Sequence, residues 1–125
     1  MISLSEEEFD AAVGDALDSI PSQLLDQMEN VAIFIDDEPS AEQVGQHTHG
    51  HGGTLLGLYE GVPLTERGYG FAGVLPDRIT IFRGPLQRLS RSRAELVRQI
   101  RVTVVHEVAH HFGIDDQRLH ELGWG

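Results

Sequence analysis

In the run His106-Glu107-Val108-Ala109-His110-His111-Phe112-Gly113-Ile114-Asp115-Asp116, two imidazoles stand four residues apart. A carboxylate follows the first imidazole directly, and another lies six residues beyond the second. On a helix, side chains at i and i+4 stack on one face, so His106 and His110 can aim ring nitrogens at one ion from successive turns. Glu107 lies about 100° further round. That keeps it out of the ligand shell yet within reach of a water held by the ion, which is the place of a general base. Gly113 can take a positive φ and stop the helix, turning the chain so that Asp116 swings back toward the ion. Three protein ligands leave the fourth position of a tetrahedral zinc open to water, the mark of a hydrolytic site.

The third ligand is the least determined member. Asp116 is the first candidate. His120 follows it by four residues, so on a C-terminal helix the two share a face and His120 can replace or support it; Asp115 and Glu121 are the remaining alternatives. His111 points about 100° away from His110 and is expected to pack or to support a ligand rather than bind. The same residues allow a second function, a non-catalytic zinc module in which the metal ties the tail to the helix.

Elements must hold these groups in place. Ser92 and Glu95 form a capping-box pattern, and Leu96, Val97, Ile100, Val104, Val105, Val108 and Phe112 make the helix that follows apolar around much of its girth. It should be the central core helix. A second capping box, Ser5 with Glu8, precedes Phe9, Ala12, Val13, Ala16, Leu17 and Ile20, which predicts an amphipathic helix over about 6–18 closed by Pro21. Leu24, Leu25 and Met28 suggest a short second helix. Val31-Ala-Ile-Phe-Ile35 reads as a buried strand, Leu55-Leu-Gly-Leu-Tyr59 as a second and Arg78-Ile-Thr-Ile-Phe82 as a third. The connection between the last two is too long for a tight hairpin; its Glu66 and Tyr69, with Tyr59, are candidates to line a cleft. Tyr69 is an oxyanion donor or, more simply, a packing residue. Asp36, Asp37 and Glu38 before Pro39 fit a solvated turn better than a cation site. Residues 38–53, with His47, His49 and His51 among glycines, read as a mobile loop. Its functional version is a flap beside the metal that delivers or competes for the ion.

The 125 residues fit one domain and can bury a modest core without staples. No cysteine is present, which excludes a thiolate zinc site and any need for an oxidising compartment. A net charge of -11 argues against a nucleic-acid partner. The N-terminus is acidic rather than basic-then-apolar, and no apolar run spans a membrane, so a cytoplasmic home is expected. Every basic residue is arginine and none lies in the first 60 residues. The arginines from 83 to 101 therefore form either a basic strip near the site or a solvated face balanced by the acidic N-terminal half, and the second fits better.

The chain resembles the zincins that carry a metzincin-style H-E-x-x-H-x-x-G-x-x-[HD] signature, and more narrowly the small bacterial family of minimal zincin-like metallopeptidases. Beyond His106 to Gly123, the residues that carry this likeness are Leu55-Leu-Gly-Leu-Tyr-Glu-Gly-Val-Pro-Leu-Thr-Glu-Arg67 and Pro76-Asp-Arg-Ile-Thr-Ile-Phe-Arg-Gly-Pro-Leu86. The resemblance implies a compact α/β (α+β) zincin core. A small mixed sheet of about three to four strands would pack on the long active-site helix and an N-terminal helix. It also implies bound zinc and cleavage of a peptide or protein substrate, with His106 and His110 as ligands and Glu107 as base. Asp116 stands where larger metzincins carry a third histidine, and an anionic ligand there leaves zinc a weaker Lewis acid. By the same resemblance, Ile79–Phe82 is the expected peptide-docking edge. Metzincins carry a methionine turn beneath the metal; here the only methionines are Met1 and Met28. The floor is therefore expected from Leu119, Leu122 or Trp124, and the lower half of a usual cleft is expected to be missing.

Overall fold

The computed structural model describes residues 1–27, 31–46, 54–61, 77–111, 113 and 116–121, with the backbone alone at Gln23, Gln27, Gln46, Asp116 and Leu119. These residues form six helices and three strands.

Helix α1 (Glu6–Asp18) starts where its cap dictates: the Ser5 hydroxyl accepts the Glu8 N–H at 3.1 Å, and the Glu8 carboxylate accepts the Ser5 N–H at 2.9 Å. Three glutamates in its first turn also favour the positive end of the helix dipole. Phe9, Ala12, Val13 and Ala16 recur at helical spacing and are buried, giving α1 one apolar stripe, which packs on α5. A short α2 (Ser22–Gln27) follows Pro21.

Strand β1 (Val31–Asp36) runs parallel to β3 (Asp77–Phe82), pairing Val31 with Asp77 and Asp36 with Phe82. Strand β2 (Gly57–Glu60) lies antiparallel on the other side of β3, so the sheet order is β1-β3-β2. Two sequence expectations change here. Ile79–Phe82 is the centre of the sheet, not a docking edge: with a strand on each side, β3 has no unpaired edge to offer a peptide. And among the described strands β1 is an outer one rather than a buried one, with Phe34 47% and Ile35 36% exposed. The Arg78 guanidinium covers Phe34 at 5.1 Å from the ring centre.

The segment 38–53, expected to be a loop throughout, holds α3 (Ala41–Gln46). It is capped like α1: Ser40 and Gln43 exchange side-chain to backbone hydrogen bonds of 2.8 and 3.0 Å. His47, His49 and His51 lie outside the described residues. Directly after β3 comes α4 (Arg83–Leu89). Its Pro85 sits in the first turn, where a helix has no internal partner for the N–H that proline lacks.

Helix α5 (Arg93–His111) begins at Ser92, whose hydroxyl accepts the Glu95 N–H at 3.1 Å. Leu96, Ile100, Val104 and Val108 are fully buried, together with Ile79, Ile81 and Leu86 from the sheet and α4. Each such side chain stabilises the fold by about 1.5–3 kcal/mol relative to exposure. The arginines pair outward with the acidic first half of the chain: Arg83 with Asp37 at 2.8 Å, Arg88 with Glu38 at 2.8 Å and Arg93 with Asp15 at 2.7 Å.

Candidate metal centre

The last two turns of α5 carry the histidine pair. The rings of His106 and His110 stand 6.0 Å apart between centres and are inclined by 39°; His106 is half-buried and His110 exposed. On one zinc, with zinc–nitrogen distances of about 2.0–2.1 Å and a tetrahedral angle, two imidazole centres sit about 5 Å apart. The observed centres are somewhat further apart than that, on one face of one helix, and the pair of donors and its spacing fit a metal held by both. Among the described side chains, no group of three or more histidines and carboxylates is gathered for a metal.

The helix ends as its glycine requires. Gly113 adopts φ 77°, and its N–H donates to the His110 carbonyl at 3.2 Å. Among the described residues nothing approaches the place of its absent Cβ within 4 Å, and its positive φ is the conformation that selects glycine. Three residues later α6 (Asp116–Glu121) begins, carrying both Asp116 and the exposed His120. The Asp116 side chain and the whole of Asp115 lie outside the described residues, as do Glu66, Tyr69, Phe112, Leu122 and Trp124. Glu121 accepts a hydrogen bond from Arg118 at 3.3 Å.

Glu107 turns to β2. Its Oε1 accepts the backbone N–H of Tyr59 at 3.0 Å, and both residues are half-buried. Contact this close depends on Gly57, because a methyl there would meet Thr103 Cγ2 at 2.5 Å and the Thr80 carbonyl at 3.3 Å. Thr103, Glu107 and His111 follow one another at intervals of four and so share a face of α5. Four helical residues advance about 6.0 Å, and two strand residues about 6.6–6.8 Å. The odd positions of β2 therefore step along α5 nearly in phase: Gly57 against Thr103, Tyr59 against Glu107 and His111.

His111 faces away from the pair, as its place one residue past His110 dictates. It stacks on the Tyr59 ring at 3.9 Å between centres and 20° between planes. The Tyr59 hydroxyl donates to Asp77 Oδ2 at 2.8 Å, and His111 Nε2 lies 3.9 Å from the same oxygen. Sequence reasoning places Tyr59 at the cleft but does not single out Asp77. Only the β2–β3 pairing, which spans 18 residues between Tyr59 and Asp77, brings them together.

A family model described as zincin-like metallopeptidase matches residues 28–124. Among solved structures, the chain is similar to a conserved hypothetical protein from T. thermophilus, at 20% identity and a TM-score of 0.53. The similarity covers 86% of this chain and 94% of that one. That likeness bears on the fold alone. No curated protein matches. With a match over most of its length, a glycine-stopped helix carrying the histidine pair and a three-stranded mixed sheet against that helix, the chain belongs to the zincin-like metallopeptidase family.

Proposed function

We propose that this chain is a zinc-dependent peptidase, cytoplasmic, with a peptide or protein as substrate. The observation that carries the proposal is the arrangement on α5, where the two imidazoles stand 6.0 Å apart between centres one helical turn from each other and Glu107, next to His106 in the chain, turns its carboxylate to β2. Family membership supports it, and among the described residues no helix is long and apolar enough to cross a membrane.

His106 and His110 hold the metal in this proposal, with Asp116 as third ligand and His120 as its alternative. Bound zinc supplies a Lewis acid that polarises a carbonyl and lowers the pKa of water. Glu107 takes a proton and returns it to the leaving amine, the work of a general base followed by a general acid. Its half-buried carboxylate, held at one oxygen by a main-chain donor, is already turned to the side of the helix where β2 lies. In place of β3, the strand that borders the base is β2.

Purification without chelators should yield about one zinc per chain. Glu107→Gln should retain that zinc while turnover of a quenched-fluorescent peptide mixture falls by at least about a hundredfold. A zinc-free protein, a fourth protein ligand closing the coordination sphere, or a Glu107→Gln variant with full activity would overturn the proposal. The second of these outcomes would point to the structural zinc module.

A further inference from the structure

We propose that Tyr59 is the positioning residue of the site, setting where the Glu107 carboxylate sits through its main-chain N–H while its side chain locks β2 against the metal helix. The inference rests on the role given above to Glu107 as base.

Three contacts meet at this one residue. Its N–H donates to Glu107 Oε1 at 3.0 Å, its ring stacks on His111 at 3.9 Å, and its hydroxyl donates to Asp77 Oδ2 at 2.8 Å. A helical glutamate has three rotatable side-chain bonds, and a charge-assisted bond from a rigid donor selects among their rotamers. The donor is rigid because of what surrounds it. Tyr59 is paired with Ile79 across the β2–β3 ladder, and its N–H points away from that strand to reach Glu107. Sliding or lifting of β2 is opposed at the ring by His111, which follows Glu107 by four on the same helix face, and at the hydroxyl by Asp77 on β3. Gly57 supplies the closeness that the arrangement needs, since any side chain there would push β2 off Thr103. Strand, base and helix are thus fixed relative to one another through this one residue.

The test reads the contact directly in the full-length zinc-loaded chain by NMR. In Glu107→Ala the Tyr59 amide proton should move upfield and exchange with solvent at least about tenfold faster, while the Leu58 and Thr80 amides keep their protection. In Tyr59→Phe and Asp77→Ala, both expected to fold, the Glu107 side-chain carboxyl carbon should shift toward the value of an exposed glutamate. For the same two variants, hydrolysis of a quenched-fluorescent peptide should fall about tenfold in kcat with KM and zinc content unchanged. A Tyr59 amide indifferent to Glu107→Ala, or a Glu107 carboxyl carbon unmoved in both folded variants, overturns the proposal. If the resonances move as expected but the wild-type chain hydrolyses nothing, the peptidase function fails and the positioning role stands.

Discussion

The two outer strands of the sheet are each tied to a helix through a carboxylate, but the two ties differ in kind. At the end of β1, Asp37 meets Arg83 and Glu38 meets Arg88. Both partners of the second pair are 53% exposed, and the Asp37 side chain is 77% exposed. Exposed pairs of long side chains contribute little, because water competes for each charge and ordering the chains costs entropy. What holds this end closely is the backbone, through Gly84 N–H to the Asp37 carbonyl at 2.8 Å. At β2 the carboxylate itself is half-buried on α5 and its donor is main chain, held by a ladder and a stacked ring. A carboxylate between flexible, solvated partners is a surface staple; one between rigid, partly desolvated partners is held in a definite place, and only the latter can serve chemistry.

The comparison is tested most severely by removing a candidate ligand. His110 is exposed and outside the buried core, so His110→Ala should drop bound zinc from about one per chain to near none. The metal-free proteins, wild type and variant, should melt within a degree or two of each other. Metal analysis and thermal unfolding after chelation check both halves. If the variant is badly destabilised without metal, the histidine is a structural residue and the β2 side loses its functional character.

Next in size come the two glycines, one on each side. At Gly84 a methyl group would meet the Glu38 carboxylate and, at 2.9 Å, the Asp37 carbonyl; at Gly57 it would meet Thr103 and the Thr80 carbonyl. Either alanine should cost about 1–3 kcal/mol, read from denaturant unfolding, since backbone must give in both cases. Their consequences for the site should part. Gly84→Ala should keep full peptide hydrolysis, whereas Gly57→Ala lifts β2 and should lower kcat about tenfold or more. Equal loss of activity in both would erase the distinction between the two ties.

How far these ties can be read from sequence depends on whether their signals are local. Helix α1 follows the predicted 6–18 because its cap and its apolar period lie within its own residues. The zinc-type motif and the positive φ of Gly113 are equally local. Helix α3 carries a real capping pair, Ser40 with Gln43, but the histidines and glycines after it outweigh that signal in a reading by composition. Gly84 and Pro85 look like a break, yet they occupy a first helical turn that tolerates both. Sheet order is not local at all. A five-residue apolar run reads the same whether the strand is central or outermost, which is why a reading without the sheet puts Val31–Ile35 inside; the docking edge at Ile79–Phe82 comes from the family resemblance alone, and the strand order corrects it. Asp77 has no signature of its own and gains a role only when β2 pairs with β3.

The smallest expected effect lies in the Arg88–Glu38 pair, and it separates the ties by pH and salt. Arg88 donates two hydrogen bonds of 2.8 Å to the Glu38 carboxylate, which lowers the Glu38 pKa below its ordinary 4.5 and raises that of Arg88. A lowered carboxylate pKa in the folded state contributes stability that is present above 4.5 and is lost as pH falls through the folded value. The raised arginine value acts only in strongly alkaline solution, so it adds no slope near neutrality. Arg88→Met should therefore destabilise slightly at pH 7 in low salt, by less than Gly84→Ala. The difference from wild type should shrink in high salt and again as pH drops below 4.5. Thermal unfolding across that pH range, with and without salt, measures it. A difference that persists under both conditions would show this pair to be as well shielded from water as Glu107 at Tyr59, and the contrast between the two edges of the sheet would collapse.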